Sequence, residues 1–559
     1  MTAKNDWWRN AVIYQIYPKS FMDSNGDGVG DLPGIISRLD YIQALGVDAI
    51  WLSPIFLSPG KDNGYDIQDY CSIDPQFGSN DDIDELILQA HQRGLKVIMD
   101  LVANHTSDQH DWFLKSKTSR DNPYSDYYIW RDPLPDGGVP NNWGANFGGS
   151  AWEWCPERQQ YYLHLFAKEQ PDLNWENPRV RDEIYRIMEF WAQKGIDGWR
   201  MDVITLISKY TDFPNYQVDH NLPVVGWMHS NGPRVHEFIQ EMHDKVLAPY
   251  GMMTVGEAPG STPENALQYI ADSRRELDMV FTFEHTDVDI LPGGINRKWQ
   301  LQPFSLPRLK SILAKWQDGL HGLGWNALYF ENHDQPRIVS RWGNDQANRA
   351  ECATAWATVL HGMQGTPFVY QGEEIGMTNI HLPLEQYNDV EIVNNYNELV
   401  VKQKTQSHDA FMAAVYQIGR DNARTPMQWD SSPYAGFSSA TPWLPVNPRY
   451  KEINVMQDRQ NNLSVFRYYQ QLIALRHRER ILIEGDFELL LPEHPQLFCY
   501  MRRLEEKCWL VVANLSDSEV SFEWQDLKQL EAGRVIISNM AGTDENRILK
   551  PWMAFIMEY

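Results

Sequence analysis

Residues 81–105 read DDIDELILQAHQRGLKVIMDLVANH, and this stretch decides the fold. Its first part, 81–95, reads as a helix opened by acids, which suits the positive end of the helix dipole. Its second part, 96–105, reads as a strand with a nearly continuous apolar run that ends in Asp100, Asn104 and His105. A strand without a polar face is buried on both sides, as in parallel sheets covered by helices. Upstream the same alternation holds. AVIYQIYP (11–18) is a strand, LPGIISRLDYIQALG (32–46) has helical spacing and a glycine stop, and VDAIWLSPI (47–55) is again a strand. Alternating β and α means a parallel sheet with helices outside.

The alternation lapses over 105–174, where Trp, Tyr, Gly, Pro and Asn follow one another without helical period. It resumes at VRDEIYRIMEFWAQKGIDGWRMDV (180–203). It then runs through MMTVGEA (252–258), MVFTFEH (279–285), WNALYFENHD (325–334) and TPFVYQGEE (366–374). Roughly eight βα units over about 480 residues is the count of a (β/α)8 TIM barrel. From residue 484 the pattern changes to the short strands FELLL, FCYMRR, CWLVVANL, RVIISN and MAFIME, the signature of an all-β unit. The expected architecture is α/β. Residues 1–104 and 175–483 form the barrel, 105–174 an inserted subdomain after the third strand, and 484–559 a C-terminal antiparallel β domain.

Composition excludes several function classes. The 559 residues are 43% hydrophobic and 22% charged, with a net charge of -26. Such an acidic surface argues against nucleic acid as a partner, since phosphate binding needs basic patches. No run of about 18 or more apolar residues exists to span a membrane, and the start MTAKNDWWRN has no apolar segment of a secretory signal. The five cysteines are scattered and odd in number, which suits free thiols in a reducing compartment. A cytoplasmic protein is the expectation. The 22 tryptophans and 26 tyrosines supply flat apolar faces of the kind that grip sugar rings.

The strand ends carry the chemistry. In a parallel barrel the C-terminal strand ends converge on one mouth. That brings together Asp202 from GWRMD, Glu257 from MTVGE and Asp334 from FENHD, along with Arg200, His105 and His333. Clustered buried carboxylates repel one another and are costly unless function needs them. Glycoside hydrolysis uses paired carboxylates without a metal. Metal-assisted hydrolysis would need histidines at ligand spacing, and His105 and His333 have no partner at i+2 or i+4. Within GIDGWRMDVITLI (195–207), Arg200 and Asp202 are two apart and so share one strand face. The expectation is that Arg200 holds Asp202 charged and aimed.

DLVANHTS (100–107), GWRMDVI (198–204), TVGEAPG (254–260) and FENHDQPR (330–337) resemble the four signature stretches of the α-amylase family of glycoside hydrolases. NGYDI (63–67), QPDLNWENP (170–178), YQGEEIGM (370–377) and GRDNARTPMQW (419–429) extend the likeness along the chain. Within the family it most resembles the oligo-1,6-glucosidases and their relatives. The resemblance implies that Asp202 is the nucleophile and Glu257 the general acid and base. It implies that Asp334 grips the 2-OH and 3-OH of glucose, with His105 and His333 as hydrogen-bond donors to hydroxyls. Asp62 and Tyr65 would close the blind end of a glucose pocket. Arg420 would pair with Asp62 or bind the 4-OH, and Phe166 and Gln170 would line the site. A dead-end pocket means an exo-acting enzyme on short oligosaccharides or disaccharides, expected to act as a monomer without a catalytic cofactor.

DSNGDGVGD (23–31) places oxygen donors at Asp23, Asn25, Asp27, the Val29 carbonyl and Asp31, as in half of an EF-hand loop. Gly34 stands where that loop would have its bidentate acid. Relatives bind Ca2+ at such a loop, which implies a structural Ca2+. Val203, directly after Asp202, accompanies α-1,6 preference in this family, and isomaltose-type or isomaltulose-type bonds are the expected substrates. The alternatives are a sucrose isomerase or glucosyltransferase and a trehalose-6-phosphate hydrolase. DILPGGINRKWQLQPF (289–304) lacks the arginine-rich stretch of sucrose isomerases, while its Arg297 and Lys298 could read a phosphate.

Overall fold

The computed structural model describes residues 6–215, 229–292, 298–461, 463–521, 533–540 and 548–559. Eight parallel strands form its central sheet: β1 (Ile13–Ile16), β2 (Ala49–Leu52), β3 (Lys96–Val102), β4 (Gly198–Asp202), β5 (Met253–Glu257), β6 (Met279–Phe281), β7 (Ala327–Leu328) and β8 (Thr366–Tyr370). Neighbours follow chain order from β6 back to β1, and β8 and β7 continue beyond β1. A parallel bridge between Val280 and Asn326 joins β6 to β7 and closes the barrel.

Helices outside the barrel are set by local signals. The helix α1 (Asn80–Gln92) starts at a capping box of Ser79 and Asp82. The helix α2 (Pro178–Lys194) begins with the Asn177 cap and a first-turn proline, and stops at Gly195 in the left-handed conformation. Two readings from the sequence need correction. The single helix expected over 32–46 is two, Leu32–Ser37 and Leu39–Leu45, broken at Arg38. The strand expected over 325–334 pairs only at Ala327–Leu328; the following polar residues leave the ladder to build the mouth.

The barrel interior explains why charge collects at one end. Ile13, Ala49, Ile98, Met253, Met279, Ala327 and Phe368 pack with Trp51, Val255, Phe281 and Tyr329 as an apolar core. Continuing the strand period of two toward the C-terminal ends, Ile98 is followed by Asp100 and Val255 by Glu257. On β4, Gly198 opens the same series and is followed by Arg200 and Asp202. Gly198 is required, because a Cβ there would lie 2.6 Å from the Met253 carbonyl oxygen. The register pairs Asp100 with Arg200 and Arg200 with Val255 across adjacent strands.

The 105–174 excursion holds a small antiparallel sheet of Trp130–Arg131, Gln160–Leu163 and Trp152–Cys155. The buried Lys209 ammonium ties this excursion to the barrel through Asn104 Oδ1 (2.8 Å), the Leu206 carbonyl (2.8 Å) and Asp172 Oδ2 (2.8 Å). The C-terminal unit is an antiparallel sheet of β9 (Asp486–Leu490), β10 (Leu497–Leu504), β11 (Lys507–Asn514), β12 (Arg534–Ser538) and β13 (Ala554–Glu558), ordered β9-β10-β11-β13-β12. It rests on the barrel helix Arg349–Gly362, where the Tyr500 hydroxyl donates to the Val359 carbonyl at 2.7 Å.

Candidate active site

The site is organised around one buried guanidinium. Arg200 Nη1 donates to Asp202 Oδ1 at 2.7 Å and to Asp100 Oδ1 at 2.9 Å, and Nη2 forms an ion pair with Glu257 Oε2 at 2.7 Å. The Trp51 ring lies 5.3 Å from its central carbon. Three carboxylates from three adjacent strands therefore meet one cation. Asp100 also accepts from the Tyr65 hydroxyl at 3.0 Å and from Trp51 Nε1 at 3.3 Å.

Burial dominates the protonation of this cluster. It pushes Asp202 up to about 7, with Arg200 opposing the rise and Asp100 adding to it. Burial pushes Glu257 up to about 8, opposed by Arg200 and reinforced by the charges of Asp202 and Asp334. Asp100 rises to about 6, again through burial, with Arg200 opposing. The expectation that Arg200 keeps Asp202 in the ordinary ionised range is thus corrected: desolvation outweighs the ion pair. Glu257 is raised in addition by the charges of Asp202 and Asp334, which favours its protonated form.

Glu257 receives a second fixed donor. The Val203 N–H donates to Oε2 at 3.0 Å. Val203 reaches that position in the left-handed region, with φ 36° and ψ 43°, a conformation strongly disfavoured for a β-branched residue. Strain of this kind costs on the order of 1–3 kcal/mol and persists where surrounding structure enforces it. Val203 is buried in one apolar cluster with Trp143, Leu206 and Phe213, and its carbonyl accepts from Leu206 N at 2.8 Å. The sequence reading used only the Val203 side chain; its main chain also touches the acid.

Asp334 is held apart electrostatically. Arg424 Nη2 meets its Oδ1 at 2.6 Å and Arg420 Nη1 at 3.4 Å, while His333 Nε2 lies 3.3 Å from Oδ2. Burial opposes its charge, but His333, Arg420 and Arg424 outweigh it and hold Asp334 far below the usual carboxylate range. Arg420 is itself clamped. It grips Asp389 through Nη2 at 2.5 Å and Nε at 3.0 Å, reaches Asp62 at 3.3 Å and lies 4.8 Å from the Phe147 ring. Asp62 is buried, which pushes it to about 7 against the pull of Arg420 and Arg424.

The remaining predicted lining residues close one side. Gln170 Nε2 donates to Asp62 Oδ2 at 3.2 Å and meets His105 Nε2 at 3.1 Å. His105 packs against the Phe166 ring at 5.1 Å, and Tyr65 stacks on His333 at 5.3 Å. Asp62, Tyr65, His105, Phe166, Gln170, Arg420, His333 and Asp334 thus form one connected wall beside the Arg200 cluster. Sequence reasoning missed Arg424, Asp389 and Phe147. Arg424 lies inside GRDNARTPMQW, so spacing could have drawn attention to it; Asp389 caps the helix Val390–Asn395 through Glu391 N, a local signal that says nothing of its contact with Arg420.

Two other expected sites differ in kind. Lys298 pairs with Glu391 at 2.6 Å, which commits its charge to a carboxylate, and Arg297 lies outside the described residues. In the 23–31 loop, Asp23 accepts from the amides of Asn25, Gly26 and Gly28, Asn25 from Asp27, and Asp27 from Val29. Asp31 caps the next helix through Gly34 N and also accepts from Ser24. Among the described residues, no group of three or more His, Cys, Asp or Glu side chains is drawn together to hold a metal. The donor types suit a hard cation, but Asp31 would have to share oxygens already hydrogen-bonded.

Comparison with known proteins agrees with this geometry. Residues 15–485 match the family model "Alpha amylase, catalytic domain", and residues 487–547 match "Maltogenic Amylase, C-terminal domain". The chain is 56% identical to an oligo-1,6-glucosidase of Heyndrickxia coagulans over 552 residues, covering 99% of each chain. It is 46% identical to a trehalose-6-phosphate hydrolase of Bacillus subtilis, covering 99% of this chain and 98% of the relative. The fold superposes on the crystal structure of an isomaltulose synthase from Protaminobacter rubrum with a TM-score of 0.94 at 40% identity, covering 99% of both.

Proposed function

Because the chain belongs to the alpha-amylase family of glycoside hydrolases, we propose that it is a retaining, exo-acting α-glucosidase that removes the terminal non-reducing glucose of short oligosaccharides, with preference for α-1,6 bonds. The observation that carries this reading is the single guanidinium of Arg200 gripping both Asp202 and Glu257 at 2.7 Å. It keeps the two carboxyls close, as the roughly 5 Å separation of a retaining pair demands.

The hydrogen bonds assign atoms to roles. Arg200 occupies Asp202 Oδ1, so Oδ2 is the attacking oxygen. The Val203 N–H donates to Glu257 Oε2 and the Arg200 guanidinium lies against the same oxygen, which leaves Oε1 as the oxygen to carry the acidic proton. Oδ2 bonds to the anomeric carbon as the bond to the leaving oxygen breaks, and Oε1 gives that oxygen its proton. Water then attacks the same carbon, its proton passes to Glu257, and Asp202 is released. Two inversions restore the α configuration. Asp334, kept ionised by Arg420 and Arg424, grips hydroxyls of the glucose ring. Asp62 and Phe147 meet at the Arg420 guanidinium and would stop the site one glucose deep, which would limit cleavage to chain ends. Val203 beside the nucleophile supports the α-1,6 preference.

Release of glucose from isomaltose, isomaltulose, maltose, sucrose and trehalose-6-phosphate, compared by kcat/KM, tests this. Isomaltose or isomaltulose should lead, with α-glucose as the first-formed anomer. A lead for trehalose-6-phosphate, first-formed β-glucose, or sucrose consumed without free glucose would overturn the reading. Lys298 is already paired with Glu391, which weighs against its reading a phosphate.

The 23–31 loop is proposed to take a structural Ca2+. Chelation should then lower Tm and added Ca2+ restore it, because a ligand of the folded state stabilises by mass action; an unchanged Tm would remove the proposal. Five unpaired cysteines support a cytoplasmic protein, and a monomer of 65.0 kDa is expected in light scattering. No helix among the described residues is long and apolar enough to cross a membrane.

A further inference from the structure

His333 is fully buried, and each ring nitrogen has a fixed neighbour. Nε2 lies 2.6 Å from the Tyr65 hydroxyl oxygen and 3.3 Å from Asp334 Oδ2. Nδ1 lies 2.8 Å from the side-chain nitrogen of Gln15, on β1. Gln15 is itself buried, with its side-chain nitrogen also donating to Ser53 Oγ at 3.2 Å, and its backbone carbonyl is held on the adjacent strand end by Gln371 N at 3.0 Å.

The contacts decide where the proton sits. The Tyr65 hydroxyl donates to Asp100 Oδ2, so its oxygen must accept from His333. Asp334 Oδ2 is also an acceptor. Both demands fall on Nε2, which therefore carries the hydrogen. A neutral ring has only one such hydrogen, so Nδ1 is a buried acceptor in need of a donor, and Gln15 supplies it. We propose that Gln15 is a positioning residue that locks His333 in the Nε2–H tautomer, so that His333 and Asp334 present a donor and an acceptor side by side to the glucose hydroxyls.

The surroundings leave the ring little alternative. Tyr17 and Tyr65 stack on it, with interplanar angles of 20° and 9°, and Trp51 meets it edge-on at 88°. Arg200, Arg420 and Arg424 oppose a second proton and Asp334 favours one, while burial keeps the ring neutral down to about 3. A proton on Nδ1 would also point at the N–H of Gln15. Which nitrogen is protonated is set by the hydrogen bond of the other, and here that bond comes from a strand remote from the catalytic acids.

The tautomer follows from these contacts alone; its effect on turnover rests on the glucosidase reading. Neutron diffraction of deuterated protein should show the deuteron on Nε2 and none on Nδ1. A deuteron on Nδ1 would overturn the proposal whether or not any variant folds. Gln15→Glu should draw a proton onto Nδ1 and create an imidazolium. It should weaken binding of a glucose-configured inhibitor about tenfold, the scale of one lost hydrogen bond, and add a titration to its pH profile. Gln15→Met, which removes the donor without adding charge, should weaken binding without that titration. A folded Gln15→Glu with the wild-type pH profile would refute the positioning role. If the tautomer is as stated but neither variant alters glucose affinity, the positioning role fails while the tautomer stands; a wild-type protein that binds no glucose-configured inhibitor would instead overturn the glucosidase reading.

Discussion

Replacing Arg200 with Gln removes the cation that three buried carboxylates share. At a charge separation of about 4 Å and an effective dielectric of about 20, one such contact is worth about 4 kcal/mol. Relaxation and entering water reduce this; taking half gives about 2 kcal/mol, or about 1.5 pKa units. Asp202, already raised by burial, would then rise further above the ordinary carboxylate range. A rise of about 1.5 units lowers the ionised fraction of the nucleophile by at most about thirtyfold, and the rate below the new pKa falls with it. Glu257 loses the same lowering partner, so it stays protonated to higher pH and the alkaline limb also moves up. The assay is kcat/KM for an aryl α-glucoside between pH 5 and 10, with Tm measured alongside. The expected outcome is a bell displaced to alkaline pH, with part of the lost rate recovered near pH 9. A uniform loss at every pH would mean that Arg200 only aims Asp202. Wild-type activity at pH 7 would refute the electrostatic argument altogether.

Asp202→Asn should abolish turnover while stabilising the fold most at alkaline pH. The folded-state pKa of Asp202 is raised, so its penalty is absent below the unfolded value of about 4 and grows as pH rises toward about 7; the Tm gain over wild type should be larger at pH 8 than at pH 5. Glu257→Gln should retain more activity on aryl glucosides with good leaving groups than on isomaltose, because only the latter needs the proton; equal losses on both would contradict the acid role. Arg424→Met removes the closest cation from Asp334, so its carboxyl should rise toward the ordinary range and KM should increase at acid pH; a pH-independent KM would count against that account. Val203→Ala should move the ratio of isomaltose to maltose kcat/KM toward maltose, and an unchanged ratio would detach bond preference from this side chain.

The barrel and the catalytic acids were legible because both follow from a period. Apolar strands with no polar face announced a covered parallel sheet, and polar residues at the ends of those strands announced the mouth. The period of two even placed Arg200 and Asp202 on one face. What a period cannot carry is the contact between loops. Asp389, which holds Arg420 more closely than Asp62 does, and Phe147, which lies against the same guanidinium, sit in irregular segments whose approach is fixed only by the closed fold. Nor does a sequence reveal how two opposing terms balance. Arg200 beside Asp202 suggested a strongly ionised nucleophile, yet burial of both side chains reverses the sign of the shift. The same limit hides Val203. As a letter it is a branched strand residue; in the structure it turns through a left-handed conformation that points its amide at Glu257. The strain at Val203 and the desolvation of Asp202 arise at one turn, where β4 leaves the barrel, so the cost of the site is concentrated where its two reacting carboxyls are brought together.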